Sequence, residues 1–257
     1  MYEEITYEQT DGVGVLTLAR PEARNALTFR TYAELEHAVR TTTARCLLVT
    51  GADPAFCSGD DIKQIMQGAR ERLSSGLAEE PRLTPAADAL LHTDVPIVAA
   101  VNGAAVGWGM ELALMADIRV ASERARFGEL FVKRGLCSDA PGIGLLAQLV
   151  GRERAAELLF TGRVIDAQEA AAIGLVSRVV AHEQLLPTAM ALATDIASNP
   201  PLAVQRMKRA LRTTLDPDWH ELGRWVSVTL AELFQTADHR EGVAAFLEKR
   251  EPRFSGS

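Results

Sequence analysis

The segment VNGAAVGWGMEL, residues 101–112, is the stretch that decides how this chain folds. The apolar run 95–101 predicts a buried β-strand that leads into it. Three glycines then fall within seven residues, and the apolar run 110–115 predicts a helix that begins near Trp108. Because glycine lets a ligand approach the backbone closely, the pattern predicts a ligand site where this strand passes into the helix.

The start of that helix suits an oxygen that becomes negative during a reaction. Its first N–H groups have no acceptor within the helix and lie at the positive end of the helix dipole. Glu111 lies three residues beyond Trp108, so its side chain shares a helix face with this opening. A carboxylate beside an oxyanion site favours acid–base chemistry on a carbonyl compound.

A second strand end offers a similar site. Residues 46–50 predict a short buried strand, and the loop after it contains Gly59. An unusual backbone angle at Gly59 would direct the next N–H, that of Asp60, into the same cavity. The backbone N–H groups of Asp60 and Trp108 would then form an oxyanion hole, in which loss of one donor typically raises the barrier by about 3–4 kcal/mol.

Several further segments join these two loops in a family resemblance. With the two loops, the ordered set RPEARNAL (20–27), Gly162, AQEA (167–170), GLV (174–176) and EGVAAFLEKR (241–250) resembles the enoyl-CoA hydratase/isomerase (crotonase) superfamily. The resemblance implies the α/β ClpP/crotonase fold, a spiral of ββα units followed by a C-terminal helical oligomerisation region. It implies a core with the active site over residues 1–190, a trimerisation region over 191–257, and a homotrimer or a hexamer built as a dimer of trimers.

Composition excludes several other classes of protein. The 257 residues carry a net charge of −7, which argues against a nucleic-acid-binding surface. No apolar run reaches the ~20 residues that span a bilayer, and the acidic N-terminus does not resemble a secretory signal. Cys46, Cys57 and Cys137 have neither disulfide nor metal-site spacing, so we expect free thiols and a cytoplasmic protein.

Periodicity predicts most of the remaining elements. Residues 5–9 and 13–18 alternate like a hairpin, 28–39 have helical spacing, and 117–121 predict a short strand. Residues 66–88 contain glycine and proline with little periodicity, and we expect a variable segment beside the pocket. The last quarter of the chain is predicted to be helical, over 183–198, 201–215, 219–236 and 238–249.

The resemblance places four residues near coenzyme A, which it implies as part of the substrate and not as a permanently bound cofactor. Arg24 matches a basic residue near the coenzyme phosphates, and Lys63 matches a lysine near the adenine, with the backbone of Asp61 and Ile62 beside it. Taken alone, Arg24 and Lys63 would be solvated surface charges. The sequence has no GxGxxG or P-loop segment, and no HExxH or Cys/His cluster indicates a metal.

Hydratases of the family use two catalytic carboxylates, and this sequence matches only one of them. Glu111 matches the first, although an acid there would also suit the first helical turn through the dipole. Hydratases carry the second glutamate four residues after the phenylalanine of a Phe-Gly motif, and that count from Phe127 reaches Phe131, which we assign to the acyl pocket. Glu129 falls two residues early and is predicted to point differently. The Trp108 indole either shapes the acyl pocket or packs in the core.

A different acid matches the isomerases of the family. Asp139 lies in the segment GLCSDAPG, residues 135–142, which resembles the Gly-Leu-x-x-Asp arrangement of isomerase branches, where the aspartate moves a proton. The alternative is that Asp139 caps a helix over 143–150. A carboxylate beside apolar Phe131 and Trp108 would have a raised pKa, which suits proton transfer near neutrality.

These matches predict an enzyme that acts on an acyl-CoA thioester. The preferred reaction is a shift of a C=C double bond, in which Asp139 or Glu111 removes a proton and the resulting dienolate is reprotonated at another carbon. The first alternative is hydration, with Glu111 as the main acid/base through one water and Asp139 assisting. The alternative of another class is a non-catalytic CoA-binding or scaffolding protein, because Phe131 replaces one expected acid. No GxSxG or histidine motif supports a serine triad.

Overall fold

A computed structural model of the chain describes residues 2–67 and 79–257. The described strands form a six-stranded and a four-stranded sheet. The strands are β1 (Ile5–Thr10), β2 (Val13–Leu18), β3 (Cys46–Gly51), β4 (Ala55–Cys57), β5 (Ile97–Val101), β6 (Ala104–Val106), β7 (Ile118–Ser122), β8 (Arg126–Gly128), β9 (Ile165–Asp166) and β10 (Arg178–Val180).

The larger sheet has the strand order β1-β2-β3-β5-β7-β10, and the smaller sheet has the order β4-β6-β8-β9. The hairpin of β1 and β2 is antiparallel, as the alternation predicts, and β2, β3, β5, β7 and β10 run parallel. In the smaller sheet β4, β6 and β8 are parallel neighbours. Consecutive strands β3/β4, β5/β6 and β7/β8 each place one member in each sheet, which generates stacked turns of a spiral.

This topology gathers three chain segments at one edge. Because β4, β6 and β8 are parallel neighbours, their carboxyl ends lie side by side, and the residues that follow them share that edge. Asp60 follows β4, Trp108 follows β6, and Glu129 follows β8. The fold thus brings together the two predicted oxyanion-hole segments, which are distant from each other in sequence.

The described helices surround these sheets. The predicted C-terminal helices are confirmed within a few residues at each end. The helices are α1 (Phe29–Thr41), α2 (Pro85–His92), α3 (Trp108–Leu114), α4 (Ala140–Val150), α5 (Arg152–Thr161), α6 (Ala167–Ala172), α7 (Leu185–Ser198), α8 (Pro201–Leu215), α9 (Trp219–Leu233) and α10 (Ala237–Glu248). None of the helices within 2–67 and 79–257 is both long and apolar enough to span a membrane.

Helix α7 covers one face of the larger sheet. Leu185, Ala189, Ala193 and Ala197 recur every four residues, are buried, and pack in one cluster with strand side chains such as Val98. The expected division at residue 190 falls inside this helix, whose whole apolar stripe packs on the sheet.

The segment 66–88 is only partly described, because residues 68–78 lie outside the described residues. Its end is more regular than the sequence suggested. Thr84 caps α2, its Oγ accepting the N–H of Ala87 at 3.4 Å, and Pro85 occupies the first turn, where its missing N–H costs nothing. Leu90 and Leu91 of α2 are buried in the core. Tertiary packing therefore stabilises a helix that the local sequence pattern does not predict.

Candidate active site

The first half of the site is the junction of β6 and α3. Gly107 has φ +55° and ψ −132°, a backbone conformation that L side chains rarely adopt, and it turns the chain into the helix. Trp108 is the first helical residue, so its N–H has no acceptor within the helix. A hydrogen bond from the Gly107 N–H to the Gly128 carbonyl, at 2.8 Å, holds this turn in place.

The second half is the loop after β4. Gly59 has φ +83°, its carbonyl accepts the Leu27 N–H at 2.9 Å, and the Asp61 N–H donates back to Leu27 at 2.8 Å. A Cβ at Gly59 would lie 2.9 Å from the Val106 carbonyl oxygen and 3.4 Å from the Trp108 nitrogen. The two loops therefore touch through their backbones, and the geometry brings the peptide groups of residues 60 and 108 to one place.

A cavity of about 370 Å³ opens beside this junction. Its walls are mainly apolar residues of α1, α2 and α9, including Ala86, Val226 and Leu230. Asp60, Trp108 and Asp139 line it, together with Tyr32. The volume and apolar lining suit an acyl chain, with the chemically active groups at its wall.

The two residues assigned to the acyl pocket lie in different places. Trp108 lines the 370 Å³ cavity and is also only 2% exposed, so its indole belongs both to the pocket and to the core. Phe131 does not line that cavity. It lines a smaller adjoining one of about 30 Å³, which shares Asp60 and Trp108 with it and also includes Arg134.

Glu111 belongs to a buried cluster of acids. It is 0% exposed, and its Oε1 accepts the Asp139 N–H at 2.9 Å. Ser138 Oγ lies 2.8 Å from Glu111 Oε1 and 3.1 Å from Glu129 Oε2. A hydroxyl has a single proton to donate, so satisfying both contacts requires a proton on one of the carboxyls.

The pKa values agree with a protonated cluster. Burial raises the pKa of Glu111 well above its usual range, and the charges of Asp139 and Glu129 raise it further. Burial likewise raises the pKa of Glu129 to about 8. A Cβ at Gly142 would lie 2.0 Å from Ser138 Oγ and 2.7 Å from Glu111 Oε1. Only glycine leaves room at this position for the cluster.

Glu129 has no predicted role in the sequence analysis, yet the structure buries it beside Glu111. Its side chain is 1% exposed and shares the Ser138 hydroxyl with Glu111. The signal available in the sequence was its place directly after β8, at the edge where β4 and β6 also end. Counting residues from a family motif hid that placement.

The cluster makes stability depend on pH. The pKa of Glu129 in the folded chain is about 8, above its usual 4.5. The folded state therefore keeps a proton that the unfolded chain releases, and the free energy of unfolding falls as pH rises between these values. Each pKa unit of difference corresponds to about 1.4 kcal/mol.

We expect Glu129→Gln to reduce this loss of stability by about 1 kcal/mol or more, because glutamine cannot ionise. Urea unfolding at pH 5 and pH 8 measures it. Glu183→Gln is the matched control, since Glu183 is exposed and pairs only with Arg124 among the described residues. An unchanged pH dependence in Glu129→Gln would show that Glu129 is already ionised.

Asp139 occupies the N-cap position of α4 but does not cap it. Its backbone is extended, at φ −69° and ψ 172°, and its side chain makes no capping hydrogen bond. The carboxyl instead lines the 370 Å³ cavity. Burial, with the negative charge of Asp60, raises the pKa of Asp139 to about 7. The carboxyl is therefore free of a local structural task and suited to proton transfer at neutral pH.

The residues predicted to contact coenzyme A lie around the loop after β4. Arg24 is exposed, and its carbonyl accepts the Ser58 N–H at 3.1 Å. Lys63 is exposed in a short π-helix, Ile62–Gln67. The Asp61 carboxylate is paired with Arg20 at 3.4 Å, its N–H donates to the Leu27 carbonyl, and its carbonyl accepts the Ile65 N–H at 2.8 Å. Both basic residues thus lie in segments next to this loop, and neither lines the 370 Å³ cavity.

One group outside this site has metal-ligand chemistry. The ligand atoms of Asp88, His92 and His220 lie within 4.8 Å of one another. The two imidazoles are stacked, however, with centroids 5.0 Å apart and planes at 10°. A common ion requires ring nitrogens that point at it in the plane of each ring, and Asp88 is already paired with Arg40 and His92. We assign no metal there.

Known proteins with similar sequences place the chain in a family. The family model for enoyl-CoA hydratase/isomerase matches residues 8–257. The chain belongs to this family. A Rhodobacter capsulatus protein named "Probable enoyl-CoA hydratase" is 37% identical over 257 residues, covering 99% of each chain. The 1,2-epoxyphenylacetyl-CoA isomerase of Escherichia coli is 34% identical over 271 residues, covering 100% of both.

Solved structures of the family confirm the fold. The crystal structure of an enoyl-CoA hydratase/isomerase from Pseudoalteromonas atlantica T6c has a TM-score of 0.87 at 31% identity, covering 98% of this chain and 100% of that one. The predicted crotonase-like α/β fold with C-terminal helices is therefore confirmed, as is an enzyme of the hydratase/isomerase class. The family acts on CoA thioesters, which fits the apolar cavity beside the paired loops.

Proposed function

We propose that this protein moves a C=C double bond within an unsaturated acyl-CoA thioester. The backbone N–H groups of Asp60 and Trp108 hold the thioester oxygen as it becomes negative, and Asp139 moves the proton. The observation that carries the proposal is the placement of Asp139, whose carboxyl has a pKa of about 7 and lines the acyl cavity next to both loops. Glu111 does not line that cavity.

The reaction follows from these positions. Asp139, as the carboxylate, takes a proton from C2 of a 3-enoyl thioester, and the electron pair passes into the thioester oxygen to give a dienolate. Two N–H donors lower the energy of that oxyanion. Collapse of the dienolate with protonation at C4 gives the 2-enoyl thioester. Glu111, through the Asp139 N–H and the Ser138 hydroxyl, fixes the segment that carries the base.

Hydration is the second candidate function. It is favoured by the pair of carboxyls around Ser138, because Glu111 Oε2 and Glu129 Oε1 are buried without a hydrogen-bond partner among the described residues. Glu111 would be the main acid/base through one water, with Asp139 assisting. Both oxygens lie in the buried cluster and not at the cavity wall, which favours the isomerase.

Ligand binding and assembly complete the proposal. Arg24 and Lys63 would contact the coenzyme phosphates and adenine, with the backbone of Asp61 and Ile62, and no permanently bound cofactor takes part. The chain would form a homotrimer or a dimer of trimers through its C-terminal helices. Support comes from the exposed apolar side chains Leu211 of α8 and Trp225 of α9, which are 59% and 56% exposed.

The test is a paired assay of the wild-type protein with 3-enoyl-CoA and 2-enoyl-CoA thioesters. Product chromatography follows migration, and loss of the conjugated absorbance follows hydration. We expect 3-enoyl-CoA to be converted to 2-enoyl-CoA at least ~10-fold faster than 2-enoyl-CoA is hydrated, because Asp139 and not Glu111 faces the cavity. Faster hydration would favour the second candidate, and binding without turnover would leave a non-catalytic CoA-binding protein.

A further inference from the structure

The 370 Å³ cavity, here called the acyl cavity, is also lined by the side chains of Asp60 and Tyr32, which the oxyanion hole does not use. The Tyr32 hydroxyl donates to Asp60 Oδ1 at 2.5 Å, and both residues line the cavity. The Tyr32 ring packs edge-on against Trp108, with centroids 4.8 Å apart and planes at 89°. The proposed function needs only the backbone N–H of Asp60, so its carboxyl and the tyrosine that holds it lack a role.

This carboxyl shares the cavity with the proposed base. Asp60 and Asp139 line the same cavity, and the charge of Asp60 contributes to the raised pKa of Asp139. Burial raises the pKa of Asp60 itself to about 6, against the lowering effect of the Tyr32 hydrogen bond. Two carboxyls in one apolar space resist ionising together, so near neutrality they share one proton. Because the pKa of Asp139 is the higher of the two, that proton lies mainly on Asp139, and the reactive arrangement with the proton on Asp60 is the minor one.

We infer that the Asp60 side chain is the second proton-transferring group of the isomerisation, with the Tyr32 hydroxyl as its hydrogen-bond donor. The inference rests on the proposed function. Asp139 takes the C2 proton, and protonated Asp60 gives its own proton to C4, which leaves Asp139 protonated and Asp60 ionised. One proton then passes from Asp139 to Asp60. The pair thereby returns to its starting protonation state, with no net gain or loss of protons.

The surroundings of Asp60 favour this role. As Asp60 gives up its proton, the Tyr32 hydroxyl already donates to the carboxylate that forms. Burial first, and then Asp60, raise the pKa of Tyr32 well above its usual value, so the hydroxyl keeps its proton. The Arg134 guanidinium also favours the carboxylate, whereas Asp61 opposes it. The carboxyl is thus held ready to change charge once per turnover.

Deuterium exchange separates the two proton-transfer steps. The enzyme is incubated with 3-enoyl-CoA in D₂O, and NMR follows deuterium entering C2 of the substrate and formation of the 2-enoyl product. Asp60→Asn keeps the backbone N–H and the side-chain shape but cannot give a proton. We expect product formation to fall by about 100-fold or more, while exchange at C2, which needs only Asp139 and the oxyanion hole, stays within about threefold.

A second variant and two controls guard against a folding defect. Tyr32→Phe removes the hydrogen bond to Asp60, and we expect product formation to fall about tenfold with exchange at C2 retained. Tyr7→Phe removes a tyrosine hydroxyl that bonds Gln9 and Thr42, and Asp88→Asn removes a carboxyl paired with Arg40. Both lie outside the cavity lining and should leave both rates unchanged.

The outcomes are distinguishable. If Asp60→Asn forms product within about threefold of the wild-type rate, or if exchange and product formation fall together in both Asp60→Asn and Tyr32→Phe, the role of Asp60 is overturned. If the wild-type protein neither exchanges C2 nor forms product, the proposed function itself fails. Exchange without product in Asp60→Asn supports both.

Discussion

Asp139→Asn should slow double-bond migration by about 10²–10⁴-fold and leave the fold intact. Asparagine has nearly the shape of aspartate but cannot accept the C2 proton. Stability should not fall, and at neutral pH it should rise, because the Asp139 side chain makes no capping bond and asparagine has no carboxyl whose burial opposes ionisation. Initial rates with 3-enoyl-CoA, thioester affinity and urea unfolding measure the three quantities.

Asp166 is a control aspartate, for which we expect a loss of stability without a loss of activity. Asp166 caps α6 by accepting the Glu169 N–H at 2.9 Å and does not line the cavity. Asp166→Ala should therefore cost about 1 kcal/mol of stability and leave turnover unchanged. If Asp139→Asn instead lost stability and kept its migration rate within about threefold, Asp139 would be a structural residue and the base would lie elsewhere.

Gly109→Ala should lower turnover by at least ~100-fold through the oxyanion hole. A Cβ at Gly109 would lie 2.2 Å from the Cys57 carbonyl oxygen, and that atom is backbone in a buried strand. The β4 loop and α3 must then separate, which moves the Asp60 N–H away from the Trp108 N–H. The chain should also unfold at a lower urea concentration, since overpacking typically costs about 1–3 kcal/mol.

The control for Gly109→Ala is a glycine whose substitution strains the backbone without a clash. Gly151 has φ +79° and nothing within 4 Å of its Cβ position. Gly151→Ala should lose some stability but keep turnover. Both variants are assayed for thioester affinity and for rate at saturating substrate. A Gly109→Ala protein with normal turnover would mean that the close approach of the two loops is not needed for catalysis.

The local sequence pattern predicted the two backbone loops of the site, each of which follows the end of a strand. The glycines before Asp60 and Trp108 identified both loops, because glycine permits the positive φ angles that the chain adopts at these two strand ends. The sequence also predicts that the two N–H groups point into one cavity, and the structure supplies the physical reason in the adjacent parallel strands β4 and β6.

Side-chain neighbours that depend on tertiary packing were not predictable in this way. Glu129 follows β8, and its burial beside Glu111 needs the register of β6 against β8 and the space at Gly142. Tyr32 lies in the segment 28–39 that was predicted to be helical, and only the packing of α1 over the cavity shows its bond to Asp60. The cavity walls combine α1, α2 and α9, which are distant in sequence.

The role of Asp139 as the base is tested most directly by comparing the two candidate carboxylates, Asp139 and Glu111, in the same assays. Wild-type protein, Asp139→Asn and Glu111→Gln are each mixed with excess 3-enoyl-CoA and with excess 2-enoyl-CoA, and the products are separated by chromatography. We expect migration to be the faster wild-type reaction, to collapse in Asp139→Asn, and to be better retained in Glu111→Gln. Fast hydration that is lost in Glu111→Gln and unaffected in Asp139→Asn would show that Glu111, and not Asp139, is the main acid/base.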